Sequence, residues 1–234
     1  MSILFRRLGG VILPVMLLAS PLFSAKAALI LDGTRLIFPA GEQSASIVVE
    51  NPTDDDYLMQ SWLENSAGQP QENLMVEPPV AQIKAHHKVT LRVNVVDPQV
   101  RQGSSEKLFW LNVKEIPKVD TNAASSDLLL AMQTRIKLFF RPQGVAADRG
   151  DAWKKLEWFY QSGKLTVKNP TPYFITVNKA LADGQQALTI DMVAPYTSEA
   201  LPRKNQNVAR VGKVIYDTLT DFGDISEKVS SAVR

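Results

Sequence analysis

Cysteine is absent from the 234 residues, and histidine occurs only twice. The first absence excludes disulfide staples, thiol nucleophiles and thiolate metal centres. Whatever folds here must rest on apolar burial. The two histidines, His86 and His87, are adjacent. Neighbours in a strand point to opposite faces, so the pair is a poor chelate and reads as loop. Phosphate-cradling glycine runs, HExxH and GxSxG are all missing. Asp54-Asp55-Asp56 lacks the glycine and distal glutamate of a calcium loop and reads as a solvated turn. No acid, base and nucleophile converge in the pattern. The reading is therefore not an enzyme, with no cofactor and no metal.

An excess of one charge is lacking too. Arg6 and Arg7 precede an apolar run from Leu8 to Leu22, and Ala25-Lys26-Ala27 is a small-x-small cleavage site. Residues 1–27 thus read as a cleaved secretory signal peptide, too short in its apolar run for a membrane span of ~20 residues. Without Arg6, Arg7 and Lys26 the count falls from 26 basic and 24 acidic residues to 23 and 24. No basic field remains to favour nucleic acid.

What the chain does have is alternation. Residues 47–51, 57–64, 88–96 and 107–116 are rich in β-branched and aromatic residues and are separated by turn clusters. After Arg141-Pro142 the composition changes. Residues 143–150 read as a linker with little to bury, and a second strand series follows at 156–160, 164–169, 173–181, 188–193 and a hairpin-like 211–226. The expectation is an all-β chain of two sandwich domains, 28–142 and 151–234, with a frayed polar tail. No internal repeat is evident.

The densest signal is residues 128–142, LLLAMQTRIKLFFRP. One face is apolar, and Arg135, Lys137 and Arg141 follow in the second half. The polar, small segment 117–127 before it is expected to be a mobile loop. An exposed strand edge of this kind templates pairing with another chain, which is ordinarily a hazard. Here it reads as a strand lent to a partner.

Four segments together, LDGTRLIFPAG (31–41), EKLFWLNVKEIP (106–117), QTRIKLFFRP (133–142) and NPTPYFITV (169–177), resemble the periplasmic chaperones of the chaperone–usher pilus pathway. These are two-domain immunoglobulin-like proteins. The resemblance covers nearly all of 28–226. It implies two immunoglobulin-like β-sandwich domains in a boomerang, with a cleft between them. It implies an ATP-independent periplasmic chaperone that captures pilus subunits by donor-strand complementation and delivers them to an outer-membrane usher. The lack of cysteine and the short loop before the donor strand resemble the short-loop subclass.

Site roles follow from the same resemblance. Arg35 and Lys137 match the cleft pair that anchors a subunit's C-terminal carboxylate, a chemistry that suits a guanidinium fork and an ammonium. Leu128, Leu130 and Met132 match the donor row. Glu106, Arg141 and Asp221 match charges that bridge the domains, while Pro170 and Pro172 read as rigid turn residues. Strict alternation puts Lys137 on the face opposite the donor row. Either a bulge reverses the phase or anchor and row use different faces. An unprotected row also favours a self-capping dimer of the free protein. The competing reading is a secreted two-domain adhesion or ligand-binding module. It would need an exposed aromatic patch, for which Trp153 and Trp158 are candidates, although alternation places at least one of them in the second core.

Overall fold

Apolar residues at every second position become buried rows of sheet in the computed structural model, which describes residues 29–117, 130–202 and 210–234. The first half contains β1 (Ile30–Leu31), β2 (Arg35–Pro39), β3 (Ser44–Glu50), β4 (Tyr57–Asn65), β5 (Leu74–Glu77), β6 (Val80–Ile83), β7 (Lys88–Val95), β8 (Lys107–Pro117) and β9 (Gln133–Arg141). They form two sheets, ordered β1-β3-β7-β5 and β2-β9-β8-β4-β6. Ile47, Val49, Leu91 and Val93 from one sheet meet Met59, Leu111, Leu138 and Phe140 from the other in a single core. Phe38 packs edge-on to Phe140 at 5.0 Å.

The second half contains β10 (Glu157–Gln161), β11 (Lys164–Lys168), β12 (Ile175–Ala182), β13 (Gln186–Leu188), β14 (Met192–Val193), β15 (Ser198–Ala200), β16 (Lys213–Thr218) and β17 (Val229–Ala232). Its sheets are β10-β11-β15 and β13-β12-β16-β17, with β14 paired to β12. Trp158, Leu165, Val167, Ile175 and Tyr216 fill a separate core. The chain is thus two immunoglobulin-like β-sandwiches, as expected.

Four details depart from the sequence reading. The tail is not frayed: β17 pairs with β16, and Arg234 exchanges hydrogen bonds with Trp158 and Tyr160 at 3.0 Å each. Polarity misleads there because Val229 and Val233 alone dock on the core, while Ser230 and Ser231 complete a ladder. The 211–226 stretch supplies one strand, β16, and then turns, with a lone bridge between Leu219 and Ile225. The stretch 188–193 is divided between β13 and β14. Segment 143–150 buries more than its composition implies: Val145 joins the second core and Arg149 is buried.

A short sequence echo also serves both halves. Asn51-Pro52-Thr53 and Asn169-Pro170-Thr171 each fix a turn with a buried asparagine. Asn51 Nδ2 donates to the carbonyls of Asp55, Ile83 and Lys84, and Asn169 Nδ2 to those of Tyr173, Val193 and Ala194. In both turns the threonine hydroxyl donates to the asparagine Oδ1 at 2.7 Å.

Burial in the second core pushes the Tyr216 phenol up to about 12 from 10.0, against a partly offsetting backbone hydrogen bond. Between those values the unfolded chain sheds a proton that the folded chain keeps, so stability must fall as the pH rises. The loss is about 1.4 kcal/mol per pH unit, on the order of 2 kcal/mol near the top of the window. Urea midpoints of the wild type should drop from about pH 9 to about pH 11, and those of Tyr216→Phe should drop less. Equal declines in the two proteins would contradict this.

Candidate functional site

Strand β9 carries the site because its two faces do different jobs. Ile136, Leu138 and Phe140 point into the first core. The alternate residues, Arg135, Lys137, Phe139 and Arg141, line the other face. Phe139 is buried outside that core, its ring 5.8 Å from Phe174 of the second domain. Arg135 is already engaged, 2.8 Å from Glu64 and 4.3 Å over the Trp110 ring.

Strand β2 runs parallel to β9, and its first residue, Arg35, is the register partner of Lys137. The backbone therefore sets the two cations side by side on one face. Arg35 lies 5.8 Å over the Phe139 ring, and its Nε is buried with no hydrogen-bond partner among the described residues. Burial, and secondly the Arg149 cation, hold the Arg35 guanidinium below its ordinary pKa, although Asp221 and Glu106 pull the other way. Such a group gains from an added anion. A cleft of about 420 Å³ lies beside it, lined by Asp32, Gly33, Arg35, Arg141, Asp221 and Phe222 among others.

Upstream of Lys137, β9 is paired on one side only. The ladder to β8 continues as far as the Glu115 N–H to Met132 carbonyl bond at 2.9 Å. On the other side β2 has not yet begun, and no described strand pairs there. Leu130 and Met132 are exposed by 66% and 45%, high values for large apolar side chains. Leu128 lies outside the described residues, as do residues 1–27 and most of the loop before the row. The ladder to β8 runs from Gln133 to Phe140 without a shift, so no bulge reverses phase within it. Met132, one step beyond that ladder, therefore falls on the face opposite Lys137.

At the other end of β9, Arg141 is buried to 1% and joins the domains. Its Nε donates to Glu106 Oε1 at 2.8 Å, and its two terminal nitrogens bond Asp221 bidentately at 2.8 and 2.7 Å. It also donates to the Ala147 carbonyl. Glu106 Oε2 accepts the Phe174 N–H at 2.8 Å, and the Glu106 N–H donates to the Pro172 carbonyl at 2.8 Å. Burial pushes the Glu106 carboxyl up, with Arg141 and the Phe174 N–H pulling it back. Arg141 itself is held above its ordinary value, because its bonds to Asp221 and Glu106 outweigh burial.

The sequence reading missed Arg149, a buried arginine that donates to the Leu219 carbonyl at 2.7 Å and lies 3.4 Å from Asp221. Its only signal was a charge in a segment read as linker. Gly223 was also missed: at φ +90° a Cβ there would come within 2.5 Å of the Thr34 hydroxyl, so glycine lets the Asp221 loop seat on the first domain. Trp158 is in the second core and Trp153 packs against it, so this pair forms no exposed aromatic patch.

Comparison with known proteins matches both halves. Residues 28–146 fit the family model described as pili and flagellar-assembly chaperone, PapD N-terminal domain. Residues 151–230 fit that of the pili assembly chaperone PapD, C-terminal domain. The chaperone protein FocC of Escherichia coli is 34% identical over 210 residues, 89% of this chain and 91% of that protein. Chaperone protein FimC of Escherichia coli K12 is 33% identical over 213 residues, 90% and 86% of the two chains. Among solved structures, a chain of the Salmonella enterica SafA pilin–SafB chaperone complex superposes with TM-score 0.77 at 26% identity, covering 89% of this chain and 98% of that one.

Proposed function

Because the chain belongs to the pili-assembly chaperone family, we propose that it captures pilus subunits in the periplasm by lending them the edge of β9. The observation that carries this is the coincidence of two boundaries. The open edge of β9 ends at Lys137, where β2 begins with Arg35. A strand laid along that edge toward β2 runs parallel to β9, and its terminal carboxylate arrives between two cations. Carboxylates accept bidentate bonds from a guanidinium and a point charge from an ammonium. The orphaned Arg35 Nε–H is left with a bond to donate to such a carboxylate.

Leu130 and Met132 would fill the subunit's open groove from the opposite face, with Leu128 continuing the row. Full burial contributes roughly 1.5–3 kcal/mol per side chain before ordering costs. Strand addition at an edge supplies backbone bonds as well. Nothing in this cycle requires a nucleotide: release follows when another segment replaces the donor strand, and delivery goes to an outer-membrane usher. The same exposed row would let the free protein cap itself as a dimer. Residues 1–27 serve as the export signal.

Leu130→Asp tests the donor role. The side chain is exposed in the free protein, so the change should move folding stability by less than ~0.5 kcal/mol. It should nonetheless abolish recovery of subunit in a periplasmic pull-down, since the complex would bury an unpaired charge. Undiminished recovery would remove donor-strand pairing from the proposal.

A further inference from the structure

Lys137 already has a counter-ion. Its Nζ lies 3.5 Å from Asp191 Oδ1, across the gap between the domains. The two ends of this pair are unlike: the Lys137 side chain is 17% exposed and that of Asp191 83%. The distance is also longer than the ~2.7–2.9 Å of a tight charge-assisted bond. The Asp191 backbone, however, is fixed. Its carbonyl accepts the Val177 N–H at 2.7 Å, Met192 beside it pairs with Thr176, and Ile190 packs on the second core. Only the side chain has to move for the pair to open.

We propose that Asp191 is a built-in competitor for the incoming carboxylate. It occupies Lys137 in the free protein, swings into solvent when a subunit docks, and retakes the lysine on release. This rests on the carboxylate-anchor reading above. The other acids at the cleft are engaged elsewhere: Asp221 is held by Arg141 and Arg149, Glu106 by Arg141, and Asp32, on the Arg35 side, accepts the Val48 N–H at 3.0 Å. Asp191 is thus the acid placed to offset the Lys137 charge. An arriving carboxylate exchanges one ion pair for another and does not simply add one. The Lys137 half of the anchor then yields less than an unpaired lysine would, and a free carboxylate gains correspondingly less hold. Only a ligand that also pairs with the β9 edge binds well, and Asp191 stands ready to assist its departure.

The test uses labelled peptides of alternating valine and threonine, one ending in a free carboxylate and one in an amide. Their binding to the whole exported chain is read by fluorescence anisotropy. Asp191→Asn should tighten the carboxylate peptide about twofold to fivefold, the range set by an exposed pair. It should leave the amide peptide unchanged, and the gain should vanish in a Lys137→Ala background. Weaker carboxylate binding by Asp191→Asn would make Asp191 a support for Lys137 and overturn the proposal. So would an equal gain for the amide peptide, or one that survives Lys137→Ala. If the wild type prefers the carboxylate and Asp191→Asn changes nothing, the competitor role alone falls. If the wild type does not distinguish the two peptides, the anchor reading falls and takes this inference with it.

Discussion

Replacing Arg35 and Lys137 together by alanine should weaken subunit capture by about a hundredfold to ten-thousandfold. Hydrogen bonds to a charged partner contribute ~1.5–3 kcal/mol each, and in the proposed anchor two such cations act on one carboxylate. Each single variant should lose part of this, and the two losses need not add, because the side chains are register partners and would share one ligand. The fold should survive. Neither residue belongs to a core cluster, and removing one of two adjacent cations relieves repulsion. Titration of a purified subunit against both singles and the double variant, with urea unfolding alongside, reads the two effects separately. Wild-type affinity in the double variant would reassign the binding energy to the apolar row.

The second large effect is expected at Arg141. Alanine there leaves Glu106 buried without its partner and Asp221 short of its bidentate bonds. Breaking a buried pair from one side costs about 3–5 kcal/mol. The loss should appear as reduced stability and as a wider spread of interdomain angles in solution scattering, since Arg141 and Glu106 lie in the first domain and Asp221 in the second. Replacing all three by apolar residues of similar volume should recover much of the stability and not the fixed angle. A wild-type scattering profile for Arg141→Ala would show that Arg149, the Pro172 turn and the Phe139–Phe174 contact hold the domains without it.

Much of this was legible from residues alone, for identifiable reasons. β3, β4, β7, β8 and the second half of β9 alternate strongly because each buries one face against a neighbouring sheet. β17 was invisible because an edge strand with two small polar residues carries hardly any hydrophobic pattern. The parallel pairing of β2 with β9 could not be read from periodicity, which is blind to strand direction, and the Arg35–Lys137 juxtaposition depends on it. The face question needed a register: an unbroken β8–β9 ladder decides it, and no spacing in the sequence does. Arg149, in a segment read as linker, and Asp191, in one read as strand, escaped notice because such a charge resembles any solvated charge until the other domain is in place. The repeated Asn-Pro-Thr was short enough to pass for coincidence until both asparagines proved to be buried.

The abrupt start of β2 beside Lys137 has one more consequence. β2 is a doorstop. A foreign strand sliding along β9 can travel no further than the residue where β2 takes over the hydrogen bonds. Its position is therefore measured from its own chain end. Because facing alternates with every residue, a subunit lengthened by a single amino acid at that end would present the wrong row to its groove along the whole strand. A subunit lengthened by two would keep the facing and lose one step of overlap. The chaperone would thus read a partner's length by parity, with no need to recognise any particular side chain.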